Sequence, residues 1–261
     1  MRRILLGFSL FCLPVLVGAV ETAALIQHMD ALWRGETSKA NMTMTVKTKR
    51  YSRTMTMDSW SRGNDFSLVL IRKPIKDKGI ATLKVKENIW NYLPKINRVT
   101  KVPSSMMSGS WMGSHFTNDD LVKDSSFEKD YDSHISFEGV REGVAIYELS
   151  SIPKPDAPVV WGKVVNVIAQ KNLVPLKTFY YGEPIQGSSS ADSDSEAQFE
   201  LVRTMHFSDT KAIENRWIPM KFLLVPEDKP NESTEIVYND ITFGVDLPES
   251  FFSLQSLQRR R

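Results

Sequence analysis

The sequence predicts a mainly β (α+β) domain built on one strongly curved antiparallel sheet or incomplete barrel. Beyond residue 36, apolar residues alternate with polar ones over short runs, which is typical of strands with one buried face. Gly, Pro, Asn and Lys separate these runs, as expected for a meander. Helical spacing of apolar residues is confined to a few short segments. Together the patterns indicate about ten strands and two or three short helices.

Residues 1–19 have the pattern of a secretory signal peptide. Arg2 and Arg3 precede an apolar run over 4–17, and Gly18-Ala19 supplies the small residues of a cleavage site. The run is too short for an ordinary membrane-spanning helix, so an uncleaved anchor is the weaker alternative. We therefore predict export, cleavage near Val20 and one domain over 20–261.

The composition of the mature chain excludes cysteine-based sites and argues against nucleic-acid binding. The only cysteine, Cys12, lies in the predicted signal peptide, which excludes disulfides, thiol catalysis and cysteine metal sites after cleavage. Cleavage removes two of the 33 basic residues and leaves 31 against 31 acidic ones. Phosphate binding needs an excess of basic residues on one face, so this balance argues against nucleic acid as a partner.

The motifs do not indicate an enzyme, a metal site or a cofactor. The four histidines lack ligand spacing, and there is no G-x-S-x-G elbow. Ser110, Ser114 and His115 lie close to Asp119 and Asp120 in the sequence, whereas catalytic triads are assembled across a fold. The acidic tract near residue 194 lacks the glycine of a calcium loop and is better explained as part of a hairpin tip over 187–196.

The elements are predicted in the following order. Apolar residues at three- and four-residue spacing indicate an amphipathic helix over 20–33, ended by Gly35. A second helix is expected to start near Thr117 or Asn118, and a third follows Pro248. The alternating runs, taken as strands, lie near 42–46, 55–60, 66–70, 81–85, 88–93, 134–140, 143–150, 159–169, 174–181, 198–207, 216–225 and 234–243.

Methionine and tryptophan are concentrated in the first part of the predicted sheet. Seven of the ten methionines of the mature chain lie between residues 42 and 112. Methionine fills irregular cores, which is the plain explanation, but its adaptable side chain also suits surfaces that accept varied apolar ligands. On the second interpretation, the ligand-binding concave face includes Met42, Met44, Met55, Met57, Trp60 and Trp90.

The segment 104–121, SSMMSGSWMGSHFTNDDL, places bulky apolar side chains between serines and glycines. Gly109 and Gly113 loosen the backbone on either side of the central residues. We interpret this segment as a partial lid over an apolar concavity; the alternative is a connector that only packs on the core. The apolar residues of this lid segment are Met106, Met107, Trp111, Met112 and Phe116.

A set of short blocks runs in order along the chain. They are Trp33-Arg34-Gly35, Met42-Thr43-Met44, Lys78-Gly79-Ile80-Ala81-Thr82-Leu83-Lys84, Ile89-Trp90-Asn91-Tyr92-Leu93-Pro94-Lys95, Ser110-Trp111-Met112-Gly113-Ser114, Asn118-Asp119-Asp120-Leu121 and Val160-Trp161-Gly162-Lys163. Over about residues 22–257, the set resembles the LolA-like outer-membrane lipoprotein-sorting protein family, in an uncharacterised branch of the LolA/LolB superfamily. The lid segment and loops are longer here than in the lipoprotein carrier.

The resemblance implies a half-open β-barrel with an N-terminal helix and a helical lid, whose apolar interior takes acyl chains. It implies a periplasmic carrier or chaperone that binds lipid, or the acyl chains of lipoproteins, and passes them towards the outer membrane. The alternative is an adaptor subunit that docks an inner-membrane exporter through its methionine and tryptophan faces without carrying lipid. The implied partners are lipid or acylated lipoprotein and an exporter, with transient membrane contact and a monomeric state.

Overall fold

The computed structural model describes residues 21–123, 127–157, 159–185 and 198–259. The predicted signal peptide and the predicted hairpin tip over 187–196 lie outside the described residues. Within the described ranges, no helix has both the length and the apolar character needed to cross a membrane. The four α-helices there are α1 (Thr22–Ala31), α2 (Asn118–Lys123), α3 (Phe127–Asp130) and α4 (Leu254–Arg259).

In the described residues, thirteen strands form one antiparallel sheet that does not close into a barrel, which confirms the predicted curved, half-open architecture. The prediction of about ten strands was too low, but the twelve alternating runs identified in the sequence correspond to every strand except β6. The shortest strand, β6, has four residues with Val99 as its one apolar member, so it had no signal of alternation. The strands are β1 (Thr37–Lys47), β2 (Ser52–Arg62), β3 (Phe66–Lys73), β4 (Ala81–Val85), β5 (Asn88–Leu93), β6 (Arg98–Lys101), β7 (Tyr131–Arg141), β8 (Val144–Pro153), β9 (Lys163–Ala169), β10 (Pro175–Pro184), β11 (Phe199–Ile213), β12 (Arg216–Pro226) and β13 (Ser233–Phe243).

The sheet consists of two meanders joined by the first and last strands. Strands β1–β6 pair in sequence order, strands β7–β13 do the same, and β1 pairs with β13. The two edges of the sheet are therefore β6 and β7, which are consecutive in the chain. The connection over 102–130 leads from one edge to the other and carries the lid segment, α2 and α3. Chain topology thus places the lid segment across the opening of the sheet.

The period of two along β1 and β2 places methionine on one face of the sheet. Met42 lies opposite Met57 and Met44 lies opposite Met55 in the antiparallel register. All four side chains are buried, whereas Thr43 between them is only half-buried. Cross-strand pairs of this kind fix the register, because a shift of one residue would move the whole apolar set to the other face.

Two helices cover parts of the concave face. In α1, Leu25 and Ile26 are buried against Leu149 of β8 and Ile168 of β9. Gly35 follows the helix with a φ of 55°, a left-handed conformation that glycine adopts without strain and that turns the chain into β1. At the other end of the chain, Leu257 of α4 packs in the apolar cluster of β2–β5. The lid segment covers a further part of the concave face.

Candidate functional site

A cavity of about 220 Å³ lies between the concave face of the sheet and the segments that cover it. Side chains from β1–β3 and β8–β13 form its wall, and side chains from α1 and the lid segment form its cover. This volume is below the roughly 300–1,000 Å³ typical of small-molecule sites. A ligand of ordinary size therefore needs more space than this cavity provides, either beyond its opening or by outward movement of a covering element.

Aromatic side chains form one wall of the cavity. The ring of Trp33, at the end of α1, stacks on Phe207 with centroids 5.7 Å apart and meets Phe222 edge-on at 5.0 Å. Phe222 also contacts Tyr238, with centroids 5.4 Å apart. The indole nitrogen of Trp33 donates a hydrogen bond to the carbonyl oxygen of Pro219 at 3.1 Å. Edge-to-face packing of this kind gives a broad apolar surface held in a fixed geometry.

A row of serines gives the opposite wall a polar stripe. Ser38 of β1 lies opposite Ser61 of β2, and Ser61 lies opposite Ser67 of β3. All three line the cavity, together with Ser59. The Ser38 and Ser61 hydroxyl oxygens are 2.7 Å apart, so one hydroxyl donates to the other. Since each hydroxyl has one donor and two acceptor positions, the row retains capacity to hydrogen-bond a carbonyl or hydroxyl oxygen of a ligand.

The lid segment folds as a small hairpin followed by α2. The backbone nitrogen of Trp111 donates to the Phe116 carbonyl oxygen at 2.8 Å, and Ser110 forms a bridge with Thr117. The Asn118 amide donates to the carbonyl oxygens of Met106 (3.0 Å) and Gly109 (3.2 Å). Helix α2 begins at Asn118, as predicted. The internal hydrogen bonds let the segment hold its own shape.

Two of the five apolar residues predicted for the lid segment line the cavity. Trp111 and Phe116 lie in its cover, and Trp111 is only 4% exposed. The Trp111 indole nitrogen donates to the Thr82 hydroxyl at 3.1 Å, which satisfies its one polar group. Met107 and Met112 are half-buried outside the cavity lining, and Met106 is 58% exposed.

Of the six ligand-binding residues predicted on the sheet, two line the cavity and four do not. Met42 and Trp60 line the cavity. Met44, Met55 and Met57 lie in the buried core cluster that adjoins it, and are not part of the lining. Trp90 of β5 lies away from the cavity, with the Lys101 ammonium 6.0 Å from its ring centroid. Ligand contact by Met42, Trp60, Trp111 and Phe116 stays a prediction.

A buried ion pair joins α2 to the wall of the sheet. The Arg203 guanidinium on β11 donates to both carboxylate oxygens of Asp120, at 2.5 and 2.8 Å. Its carbon lies 4.1 Å from the ring centroid of Trp161 and 4.2 Å from that of Tyr180, so the guanidinium is held between two aromatic faces. We call this group of four side chains the latch.

The sequence analysis missed Arg203, Trp161 and Tyr180. The signal for Arg203 was present in β11, where the arginine occupies the same alternating phase as the inward-facing Met205 and Phe207. A charged residue in the phase of buried apolar positions indicates a buried partner of opposite charge. In the sequence analysis, Asp120 was named only as a neighbour of His115 and as part of one of the blocks that carry the family resemblance.

Gly162 explains how Trp161 reaches the latch. Its backbone nitrogen donates to the Tyr181 carbonyl oxygen at 3.1 Å, and a Cβ at this position would overlap the carbonyl oxygen of Gly182. Only glycine therefore allows this segment to pack so closely on β10. The close approach brings Trp161 onto Tyr180, with ring centroids 5.2 Å apart.

Further polar contacts hold the lid segment at its rim. The backbone and ring nitrogens of His115 contact the Thr234 hydroxyl at 3.0 and 2.9 Å. Arg203 also donates to the His115 carbonyl oxygen at 3.1 Å. On the other side, the Arg53 guanidinium donates to the Met112 carbonyl oxygen at 3.4 Å. The lid segment is thus attached by charged and hydroxyl groups as well as by apolar packing.

The serines and the histidine of the lid segment have structural partners. The Ser110 hydroxyl donates to the Ser114 carbonyl oxygen, and the Ser114 hydroxyl donates to the Trp111 carbonyl oxygen. The His115 ring contacts Thr234 and Glu232. These contacts do not assemble a Ser-His-Asp triad. In the described part of the chain, no group of three or more His, Cys, Asp or Glu residues is placed to hold a metal ion.

A protein-family model described as "Uncharacterized protein" matches residues 63–259. The chain belongs to that family. Searches of solved structures place this family member in the LolA-like fold, which confirms the resemblance predicted from the sequence. No curated protein matches the sequence significantly.

Three solved structures share the whole architecture. A putative outer membrane lipoprotein-sorting protein domain from Vibrio parahaemolyticus is 24% identical, with a TM-score of 0.72, and the match covers 91% of this chain and 97% of that one. A DUF1329 family protein from Desulfovibrio piger is 20% identical, with a TM-score of 0.75 and coverage of 91% and 98%. A LolA superfamily protein from Nitrosomonas europaea is 18% identical, with a TM-score of 0.72 and coverage of 91% and 100%. At these identities the likeness establishes the fold.

Proposed function

We propose that this protein is a periplasmic, non-enzymatic carrier that binds the acyl chains of a lipid or lipoprotein in the cavity under the lid segment. The observation that carries the proposal is the combination of an apolar cavity with a cover attached by polar groups. Trp33, Phe207 and Phe222 provide the apolar wall, and Asp120 ties the cover to Arg203. A cover held in this way can separate from the wall without unfolding the sheet.

The serine row supports a ligand that is more than a plain hydrocarbon. Ester and glycerol oxygens lie beside the acyl chains of phospholipids and lipoproteins, and they accept hydrogen bonds from hydroxyl groups. Ser38, Ser61 and Ser67 offer such groups along one wall of an otherwise apolar cavity. We therefore propose that the linkage next to the acyl chain contacts the serine row.

The alternative of an exporter adaptor that never holds lipid receives less support. It requires the methionine and tryptophan faces to be accessible to a partner. Met44, Met55 and Met57 are buried in the core, and Trp60 and Trp111 are turned into the cavity. Among the described residues of those faces, Met106 is exposed, and Met107, Met112 and Trp90 are half-buried. This leaves little apolar area of that kind for docking.

Lipid analysis and probe binding test the proposal. Mass spectrometry of gently purified protein should reveal co-purified lipid, and a fluorescent fatty-acyl probe should bind with an affinity near micromolar. Burying several hundred Å² of acyl surface is worth on the order of 10 kcal/mol, of which association and ordering offset a large part.

A blocking variant and a matched control make the test specific. Val69→Trp fills the cavity from the β3 wall and should abolish probe binding and co-purified lipid. Val140→Trp adds the same side chain at a position that is 67% exposed, and should leave both unchanged. Absence of lipid and of probe binding in the parent protein would contradict the proposal, as would full binding by Val69→Trp.

A further inference from the structure

Two neighbouring loops each carry a strongly exposed isoleucine side chain. Ile75, in the β3–β4 loop, is 89% exposed, and Ile96, in the β5–β6 loop, is 63% exposed. The loops contact each other, because Pro94 of the second lies against Gly79 of the first. Isolated exposed apolar residues are common. Two of them on adjacent loops form an apolar surface, and such surfaces mark sites of contact with a membrane or another protein.

Basic residues surround the two isoleucines. The exposed cations within 72–79 and 94–98 are Arg72, Lys73, Lys76, Lys78, Lys95 and Arg98. The acidic residue in these stretches, Asp77, is paired with Arg53 at 2.9 Å, and one of the six cations, Arg72, is paired with Asp58 at 2.7 Å. An open groove of about 520 Å³ runs between the loops and is lined by Lys78 and Lys95 together with Ile75. The surface is therefore strongly positive although the mature chain as a whole is close to neutral.

We propose that these two loops dock the protein on an anionic membrane surface. Aliphatic side chains at the tips enter the boundary between headgroups and acyl chains, while lysine stems lie along apolar surface and their ammonium groups contact lipid phosphates. Basic residues near an anionic surface strengthen binding by roughly fivefold each. The groove between the loops accepts a lipid headgroup.

The composition of the patch favours a lipid surface over a protein partner. Protein interfaces are enriched in Tyr, Trp and Arg at their centre and depleted in Lys. Here four of the six cations are lysines, and the apolar contacts come from aliphatic tips rather than from aromatic anchors. A flexible, lysine-rich surface of this kind matches the mobile, anionic headgroups of a bilayer.

The docking loops share a contact with the lid segment. Arg53 donates to Asp77 of the β3–β4 loop at 2.9 Å and to the Met112 carbonyl oxygen of the lid segment at 3.4 Å. Thr82, just beyond the same loop, accepts the hydrogen bond from the Trp111 indole. A membrane bound at the loops therefore lies close to the cover of the cavity, where an exchanged lipid must pass.

Vesicle sedimentation tests the docking surface without any cargo. The purified full chain is mixed with vesicles of phosphatidylcholine, with or without phosphatidylglycerol. We expect binding only to the anionic vesicles, weakened by added salt. Lys76→Gln combined with Lys95→Gln should lower the partition coefficient roughly 25-fold. Ile75→Ser should lower it about tenfold, because the inserted aliphatic surface is lost.

The matched controls are Lys171→Gln with Lys211→Gln, and Val140→Ser, which change exposed residues outside the loops and should bind like the parent. Equal loss in the control variants, or equal binding to neutral and anionic vesicles, overturns the proposal. Failure of the parent to bind either vesicle also overturns it, and would leave an acidic protein surface as the partner. Since acyl-probe binding is measured separately, failure of the carrier function and failure of docking are distinguishable.

Discussion

At the scale of single residues, Arg203 is a charged side chain in a buried position. The residue is 3% exposed, and removal of a guanidinium from water is costly. Two hydrogen bonds to Asp120 and the faces of Trp161 and Tyr180 offset this cost. The planar, bidentate geometry explains why arginine rather than lysine occupies this position.

Asp120→Asn should lower the free energy of unfolding by about 3–5 kcal/mol, because it removes the negative charge of the carboxylate that accepts two hydrogen bonds from the buried Arg203 guanidinium. It should also increase the rate of probe release, since α2 loses its attachment to β11. The control is Asp58→Asn, whose partner Arg72 has a side chain that is 42% exposed, and which should cost no more than about 1 kcal/mol. Urea unfolding and stopped-flow release measure the two effects. Equal unfolding free energies of the two variants would show that the buried Asp120–Arg203 pair stabilises the fold no more than the exposed Asp58–Arg72 pair does.

His28 should make stability depend on pH. Burial is the main cause that lowers its pKa from the ordinary value of 6.5; the Arg216 charge also lowers it, and a hydrogen bond with the Leu173 backbone opposes the shift. The folded state therefore binds a proton less readily than the unfolded state. The contribution of His28 to stability is fully present when the pH is above the ordinary pKa of 6.5, and it declines as the pH falls below that value. His206 shifts in the same direction, with burial as the main cause.

Replacement by glutamine isolates the contribution of His28. His28→Gln should flatten the decline in unfolding free energy between about pH 7.5 and 5.5, whereas His134→Gln, at an exposed position, should follow the parent curve. Denaturant melts of the three proteins at a series of pH values provide the comparison. Parallel curves for all three would mean that His28 does not contribute to the acid sensitivity.

At the scale of elements, the position of the lid segment agrees with both interpretations that the sequence left open. Trp111 belongs to a buried core cluster, as a packed connector requires, and it also covers the cavity, as a lid requires. The topology explains this dual position, because the segment must cross from edge strand β6 to edge strand β7 over the concave face. Its polar attachments at Arg53, Thr234 and Arg203 lie on separate strands of the sheet.

Trp111→Ala should cost about 3–5 kcal/mol of stability, because it opens a space among buried side chains. If the segment is also a lid, the same change should raise the rate of probe release. Met106→Ala, at an exposed position of the same segment, serves as the control and should alter neither quantity. A large loss of stability with unchanged release would show that the segment acts only as part of the core.

At the scale of the whole molecule, a neutral balance of charge coexists with a positive patch at one end. The 31 basic and 31 acidic residues of the predicted mature chain cancel, yet exposed cations concentrate on the two loops around Ile75 and Ile96. An uneven distribution of this kind orients a protein at a charged surface even when its net charge is close to zero. Arg53 connects the patch to the lid segment, because it donates to Asp77 and to the Met112 carbonyl oxygen.

Export is predicted for the whole chain from residues 1–19, which lie outside the described residues. Protein expressed in a Gram-negative host should be recovered from the periplasm with a mature N-terminus at or near Val20, as measured by intact mass. Retention of Met1, or a diacylglycerol group on Cys12, would contradict the predicted signal peptide. A substitution of Arg2 and Arg3 by glutamate should impair export, because the charged start of the signal is reversed.

The elements with local signals were predictable from the sequence. Alternation placed Met42, Met44, Met55 and Met57 on one buried face, because the side-chain period of a strand is a property of the strand itself. The start of α2 at Asn118 was likewise indicated by residues within one turn. The strands and the start of α2 could therefore be anticipated before any tertiary contact was known, whereas the opening of the lid segment stays a prediction.

The sequence by itself determined the alternating strands, the short helices and the apolar character of the lid segment, because each depends on residues that are neighbours in the chain. Only the tertiary structure decided which apolar residues line the cavity and which fill the core. Met44, Met55 and Met57 became core, while Phe207 and Phe222 joined Trp33 at the wall. The partner of Asp120 was also hidden, since Arg203 lies 83 residues away. Such choices depend on strand pairing and on where the lid crosses the sheet, and no local pattern encodes distances between residues so far apart.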